Sequence, residues 1–125
     1  MSNEKIDILY SNYFQLKNNK NIKIEKNLFK GYCQRDIILS YINGKPLTAW
    51  LTLMIKKKSI EDLEYVFDEN LHIASDFDLI IRLSANCYFE FLEDYICKYR
   101  IHDANESKKS YKEIYEISYI INKYK

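Results

Sequence analysis

Glycine and proline are nearly absent: two glycines and one proline stand among 125 residues. A glycine-rich phosphate loop or a dinucleotide-binding fingerprint needs several glycines where backbone approaches phosphate, so both are excluded. Cysteine is scarce too. Cys33, Cys87 and Cys97 are odd in number and lack a Cys-x-x-Cys spacing. Neither a disulfide framework nor a zinc cluster is expected, and a reducing, cytoplasmic setting fits. Charge of one sign is missing as well, with 19 Lys and Arg against 18 Asp and Glu and a net charge of +1. A nucleic-acid surface is basic, so nucleic acid is not an expected partner. Long apolar runs are lacking: the longest, Ala49 to Ile55, falls far short of the roughly 20 residues of a spanning helix. The opening MSNEKIDILY does not read as a secretory signal.

What is present is apolar and aromatic. Hydrophobic residues make up 47% of the chain, with 12 Tyr and 6 Phe, enough apolar surface to offset chain entropy and form a core. One domain over residues 1–125, of mixed α and β class, is the expectation. Residues 6–16 are rich in β-branched and aromatic side chains and read as a strand; the polar KNNKN turn leads to a short returning strand at Ile22 to Ile24. Ile37, Ile38, Tyr41 and Ile42 fall at helical spacing in 32–42, with Asn43-Gly44 as the stop. Residues 49–55 predict a strand buried on both faces. Ser59…Asp62 and Ser75…Asp78 each have the hydroxyl-then-carboxylate form of a capping box, predicting helices over about 59–66 and 75–86. The second is expected to bury Leu79, Ile80 and Leu83 or their neighbours. Residues 88–92 and 94–101 predict two strands with a tight connection, and an amphipathic helix starts near Ser110.

Few residues carry chemistry. Asp76 and Asp78 sit in a first helical turn, where the helix dipole favours carboxylates and a capping box accounts for Asp78; their Asp-x-Asp spacing also matches a divalent-metal pattern. His102 follows Tyr99-Arg100-Ile101 at a strand end, a place that suits a metal or diphosphate contact. His72 reads as a solvated histidine. Arginine is rare, three against sixteen lysines, and a guanidinium offers a fixed fork to carboxylate or phosphate. Arg82 and Arg100 are therefore candidate substrate contacts, with pairing to Asp78 four residues away as the structural alternative for Arg82. Lys56-Lys57-Lys58 reads as a solvated turn.

From Thr48 to Ser107 the order of segments resembles the C-terminal half of a family 2 glycosyltransferase of the GT-A fold. The matching pieces are LTLMIKKKSIEDLEYVFDENL, then ASDFDLIIRL, then YRIHDANES. They correspond to an apolar strand with basic residues, a short helix, a Phe-Asp-Glu turn, an acidic helix start and a strand ending in Tyr-Arg-x-His. The resemblance implies transfer of a sugar from a nucleotide-sugar donor to the hydroxyl of a glycan or lipid-linked acceptor, with inversion, in polysaccharide assembly. It implies Asp76 as the catalytic base and Asp78 and Arg82 as recurrent supporting residues of the same helix. His102 falls where some members contact the metal or the donor diphosphate. A divalent ion, Mg or Mn, is the implied cofactor, and the location is cytoplasmic or peripheral at the inner membrane face.

Two departures accompany it. Ser75 stands where the family has an acidic residue before the base, and no donor-side Asp-x-Asp lies between Met1 and Thr48. The expectation is a partial GT-A-like unit, inactive alone, that works with a separate donor-half polypeptide or self-associates through an uncovered sheet edge. A non-catalytic interaction module or inactive remnant is the alternative.

Overall fold

A computed structural model describes residues 5–24, 29–43, 50–101 and 111–124. Four strands and four helices follow one another as β1 (Ile8–Lys17), β2 (Lys20–Ile24), α1 (Gln34–Ile42), β3 (Met54–Ile55), α2 (Lys57–Glu61), α3 (Ser75–Ser84), β4 (Phe89–Arg100) and α4 (Tyr111–Lys123), with a 3-10 turn at Trp50–Thr52. The fold is mixed α and β, and its sheet combines antiparallel and parallel pairs.

β1 is the hub. It pairs antiparallel with β2 over Tyr13–Lys17 and antiparallel with β3 over Ile8 and Leu9. It also runs parallel to β4 from Ile8 to Leu16. A strand has only two edges, so β2 and β3 share one and β4 takes the other. The β1–β2 hairpin turns on Asn18 and Asn19, at φ 51° and 60°. Two consecutive left-handed residues make the mirror-image turn that matches strand twist, and Asn tolerates that backbone better than other side chains with a Cβ.

Three sequence expectations change here. Residues 50–55 are not a strand buried on both faces: Trp50 is 40% exposed and Met54 67%, and only two residues pair. β2 already occupies the far half of that β1 edge, which leaves room for β3 beside Ile8 and Leu9 alone. Residues 88–101 hold one strand rather than two. Leu92 lies opposite Ser11, Tyr95 opposite Asn12 and Cys97 opposite Tyr13, so Glu93, Asp94 and Ile96 are taken up as bulges. The Asn12 amide donates to the Glu93 carbonyl at 3.0 Å, filling the gap in the ladder. The capping boxes fail as caps. Ser59 lies inside α2, which ends at Glu61 rather than 66, and α3 has Ala74 at its N-cap with no side-chain cap bond.

The core joins Ile8 and Tyr10 of β1, Ile37 of α1, Phe89 of β4 and Ile120 of α4 around α3. Phe77, Leu79, Ile80, Ile81 and Leu83 are all buried, and so are Asp78 and Ser84, so α3 is covered on nearly every side and central. Tyr41 of α1 stacks on Phe77 with centroids 3.7 Å apart. Tyr10 donates to the Phe29 carbonyl at 2.8 Å and accepts from the Phe29 amide at 2.5 Å, which anchors the segment after β2. All three cysteines are free. Burial pushes the Cys33 thiol up to about 11 and raises Cys87 as well, so both stay protonated. Among the described residues no helix is long and apolar enough to cross a membrane.

Candidate active site

The first turn of α3 holds both acidic candidates, and the fold gives them different surroundings. Asp78 is fully buried. Its Oδ2 accepts from Arg82 Nε at 2.9 Å, and its Oδ1 accepts from the Tyr124 hydroxyl at 3.0 Å and Lys123 Nζ at 3.4 Å. Burial, followed by the Asp78 carboxylate, raises the Tyr124 phenol, which keeps its proton and donates. Arg82 spends its two terminal nitrogens on the carbonyls of Tyr65 and Val66, each at 2.5 Å, and lies over the Tyr65 ring at 4.1 Å. The predicted Asp78–Arg82 pairing is present, and it ties α3 to the 65–68 turn and the end of α4.

Asp68 completes that group. Its Oδ1 accepts from the Asn70 amide at 2.9 Å and its Oδ2 from Lys123 at 3.3 Å. The Asn70 N–H, offset in part by burial and aided by Lys123, holds the Asp68 carboxyl below the usual aspartate value. Sequence reading missed Asp68, Lys123 and Tyr124. They lie 45 or more residues from their partners, and only the docking of α4 brings them together.

Asp76 is half-buried at the start of α3, and its Oδ1 accepts from the Phe77 amide at 2.8 Å. Among the described residues no side chain hydrogen-bonds its carboxylate. Burial raises its pKa above the ordinary 3.8, against the opposing pull of the Phe77 N–H. The phenol of Tyr41, the ring stacked on Phe77, is raised by burial first and then by the Asp76 charge. Asp76 is thus a carboxylate made more basic than usual, with no cationic side chain bonded to it among the described residues.

Immediately before α3, one carboxylate gathers three backbone amides. Glu116 of α4 accepts from the N–H groups of His72, Ile73 and Ala74, the Ile73 contact at 2.9 Å. No sequence spacing signals this contact across more than 40 residues. His72 is exposed and forms part of a cleft of about 580 Å3 with Asn70, Tyr111, Tyr115 and Tyr119 of the facing α4.

Arg100 stands at the exposed end of β4, opposite Leu16. Among the described residues it makes no hydrogen bond or ion pair with Asp76, Asp78 or Arg82. His102, the metal candidate, lies outside the described residues. Asp76 and Asp78 do not share a metal: the Asp78 oxygens are taken by Arg82, Lys123 and Tyr124. Among the described residues no group of three or more His, Cys, Asp or Glu gathers as a metal site. No protein-family model and no curated protein matches this chain.

Proposed function

We propose that the chain is the acceptor and catalytic-base portion of an inverting glycosyltransferase, with Asp76 as the base. The observation that carries this reading is the Asp76 carboxylate itself, half-buried at the start of a buried helix, raised in basicity by that burial and bonded to no cationic side chain among the described residues. A general base works best when its pKa lies closer to the working pH than that of a free carboxylate. In the reaction, an acceptor hydroxyl donates its proton to Asp76 while its oxygen forms a bond to the anomeric carbon of the donor. The bond from that carbon to the nucleoside diphosphate breaks on the opposite face, giving inversion. The donor is a nucleotide sugar and the acceptor a glycan or lipid-linked sugar. Asp78 and Arg82 support the helix that aims the base, and Arg100 contacts the substrate. Donor binding rests on a nucleotide-binding half that these 125 residues do not contain, which also brings the diphosphate's counter-charge.

The test is transfer of labelled sugar from a panel of nucleotide sugars by the chain together with whatever polypeptides copurify with it, comparing wild type with Asp76→Asn. Loss of a general base lowers turnover by about 10²- to 10⁴-fold, and that is the expected result. Transfer that survives the substitution overturns the assignment. Tight partner binding without transfer, unchanged by the substitution, favours an interaction module instead.

A further inference from the structure

We propose that Glu116 is the positioning residue for Asp76: by holding the backbone of residues 72–74 it fixes where α3 begins and where the base stands. The inference rests on the reading of Asp76 as the base. Glu116 is 7% exposed and sits on α4, 42 residues beyond Ala74. Its Oε1 accepts from the His72 and Ile73 amides, and its Oε2 accepts from Ile73 and Ala74. These amides form the approach to α3, whose N-cap residue Ala74 has no side chain able to bond them.

A helix start leaves its first N–H groups without internal partners, and a negative group there is favoured by the dipole. In most helices a neighbouring Ser, Thr, Asp or Asn supplies it. Here a carboxylate from another element bonds the amide of the N-cap residue Ala74 and the two amides before it, so the path of the chain into the first turn depends on where α4 lies. Asp76 is two residues past Ala74, within that turn. α4 is in turn locked at its far end, where Lys123 and Tyr124 meet Asp78 and Lys123 reaches Asp68. The helix is therefore pinned on both sides of the base, once before α3 starts and once under its first turn.

Nuclear magnetic resonance of the full chain tests this without requiring turnover. Two readouts are followed in wild type, Glu116→Ala and Glu116→Gln: amide hydrogen exchange at residues 72–74 and the acid titration of the Asp76 carboxyl. In Glu116→Ala the three amides are expected to exchange on the order of tenfold faster or more. The Asp76 midpoint is expected to fall toward the ordinary aspartate value, while Asp68 keeps its depressed midpoint. Glu116→Gln retains one acceptor oxygen and gives a smaller change in both readouts. If the amides open while Asp76 titrates as before, Glu116 is only a cap and the proposal fails. Amides that stay protected in Glu116→Ala overturn it as well. Should Glu116→Ala not fold, Glu116→Gln decides alone, an unmoved Asp76 midpoint overturning the proposal and a lowered one with faster exchange supporting it. Failure of the base assignment shows separately, as transfer that survives Asp76→Asn.

Discussion

The Asp76 carboxyl stands where its ionised form is poorly solvated, and this ties stability to function in one side chain. Its folded pKa is raised by burial, so the native state prefers the protonated form. As pH rises through the ordinary 3.8 toward the folded value, ionisation costs stability, and that cost persists at neutral pH. Asp76→Asn keeps an oxygen for the Phe77 amide and removes the charge. It is expected to unfold at higher denaturant concentration than wild type at pH 7, with the gap closing below about pH 4; equal midpoints at pH 7 contradict this. Arg82 is the opposite case, since its charge is compensated on all sides. Its side chain is 11% exposed against a fully buried Asp78, and removing one partner of such a pair costs about 3–5 kcal/mol. Arg82→Ala is expected to lose that much in urea unfolding. Arg82→Lys should recover little of it, because a lysine cannot serve Asp78 and the two carbonyls of Tyr65 and Val66 together.

Among the elements, those built on local signals were legible and those built on competition for β1 were not. The first strand, its Asn-rich turn, the returning strand, the helix over 34–42 and the terminal helix follow from nearby residues alone. Periodicity correctly buried Leu79, Ile80 and Leu83, but it could not show that α3 is covered on nearly every side. The Ala49 to Ile55 run reads as a strand because it is apolar, yet how much of it pairs depends on the edge β2 leaves free. The break between 88–92 and 94–101 reads as a tight connection between two strands, yet the parallel run along β1 absorbs Glu93 and Asp94 as a bulge. In the candidate site, Asp76 and the Asp78–Arg82 pair were visible within one helix, whereas Glu116, Lys123 and Tyr124 act across the chain. The hairpin offers a direct check on its local logic. Asn18→Val forces a β-branched residue into a left-handed backbone and is expected to cost about 1–2 kcal/mol, while Asn19→Gly should stabilise by about 0.5 kcal/mol, both read from thermal or urea unfolding.

At the scale of the whole molecule, acid acts on the two titrating aspartates with opposite signs. The depressed Asp68 contributes stability that is present above the ordinary 3.8 and is lost as pH falls through its lower folded value. The raised Asp76 contributes in the other direction, so stability first rises as pH drops through the folded Asp76 value. A stability profile between pH 6 and pH 2 is expected to show this shoulder in wild type. Asp76→Asn should abolish the shoulder, and Asp68→Asn should flatten the acid loss below it. The sheet carries a consequence of a different kind. β1 and β4 lie side by side, yet Tyr88 and Asp7, which bond at the start of that ladder, are 81 residues apart in the chain. A ribosome adding about 5–20 residues per second needs roughly 4 to 16 s to cover that interval. The β1–β2 hairpin closes within about 10 μs of its emergence. For seconds thereafter the nascent chain presents a finished hairpin whose other edge has no strand to receive, so during synthesis this sheet needs shelter until β4 has emerged.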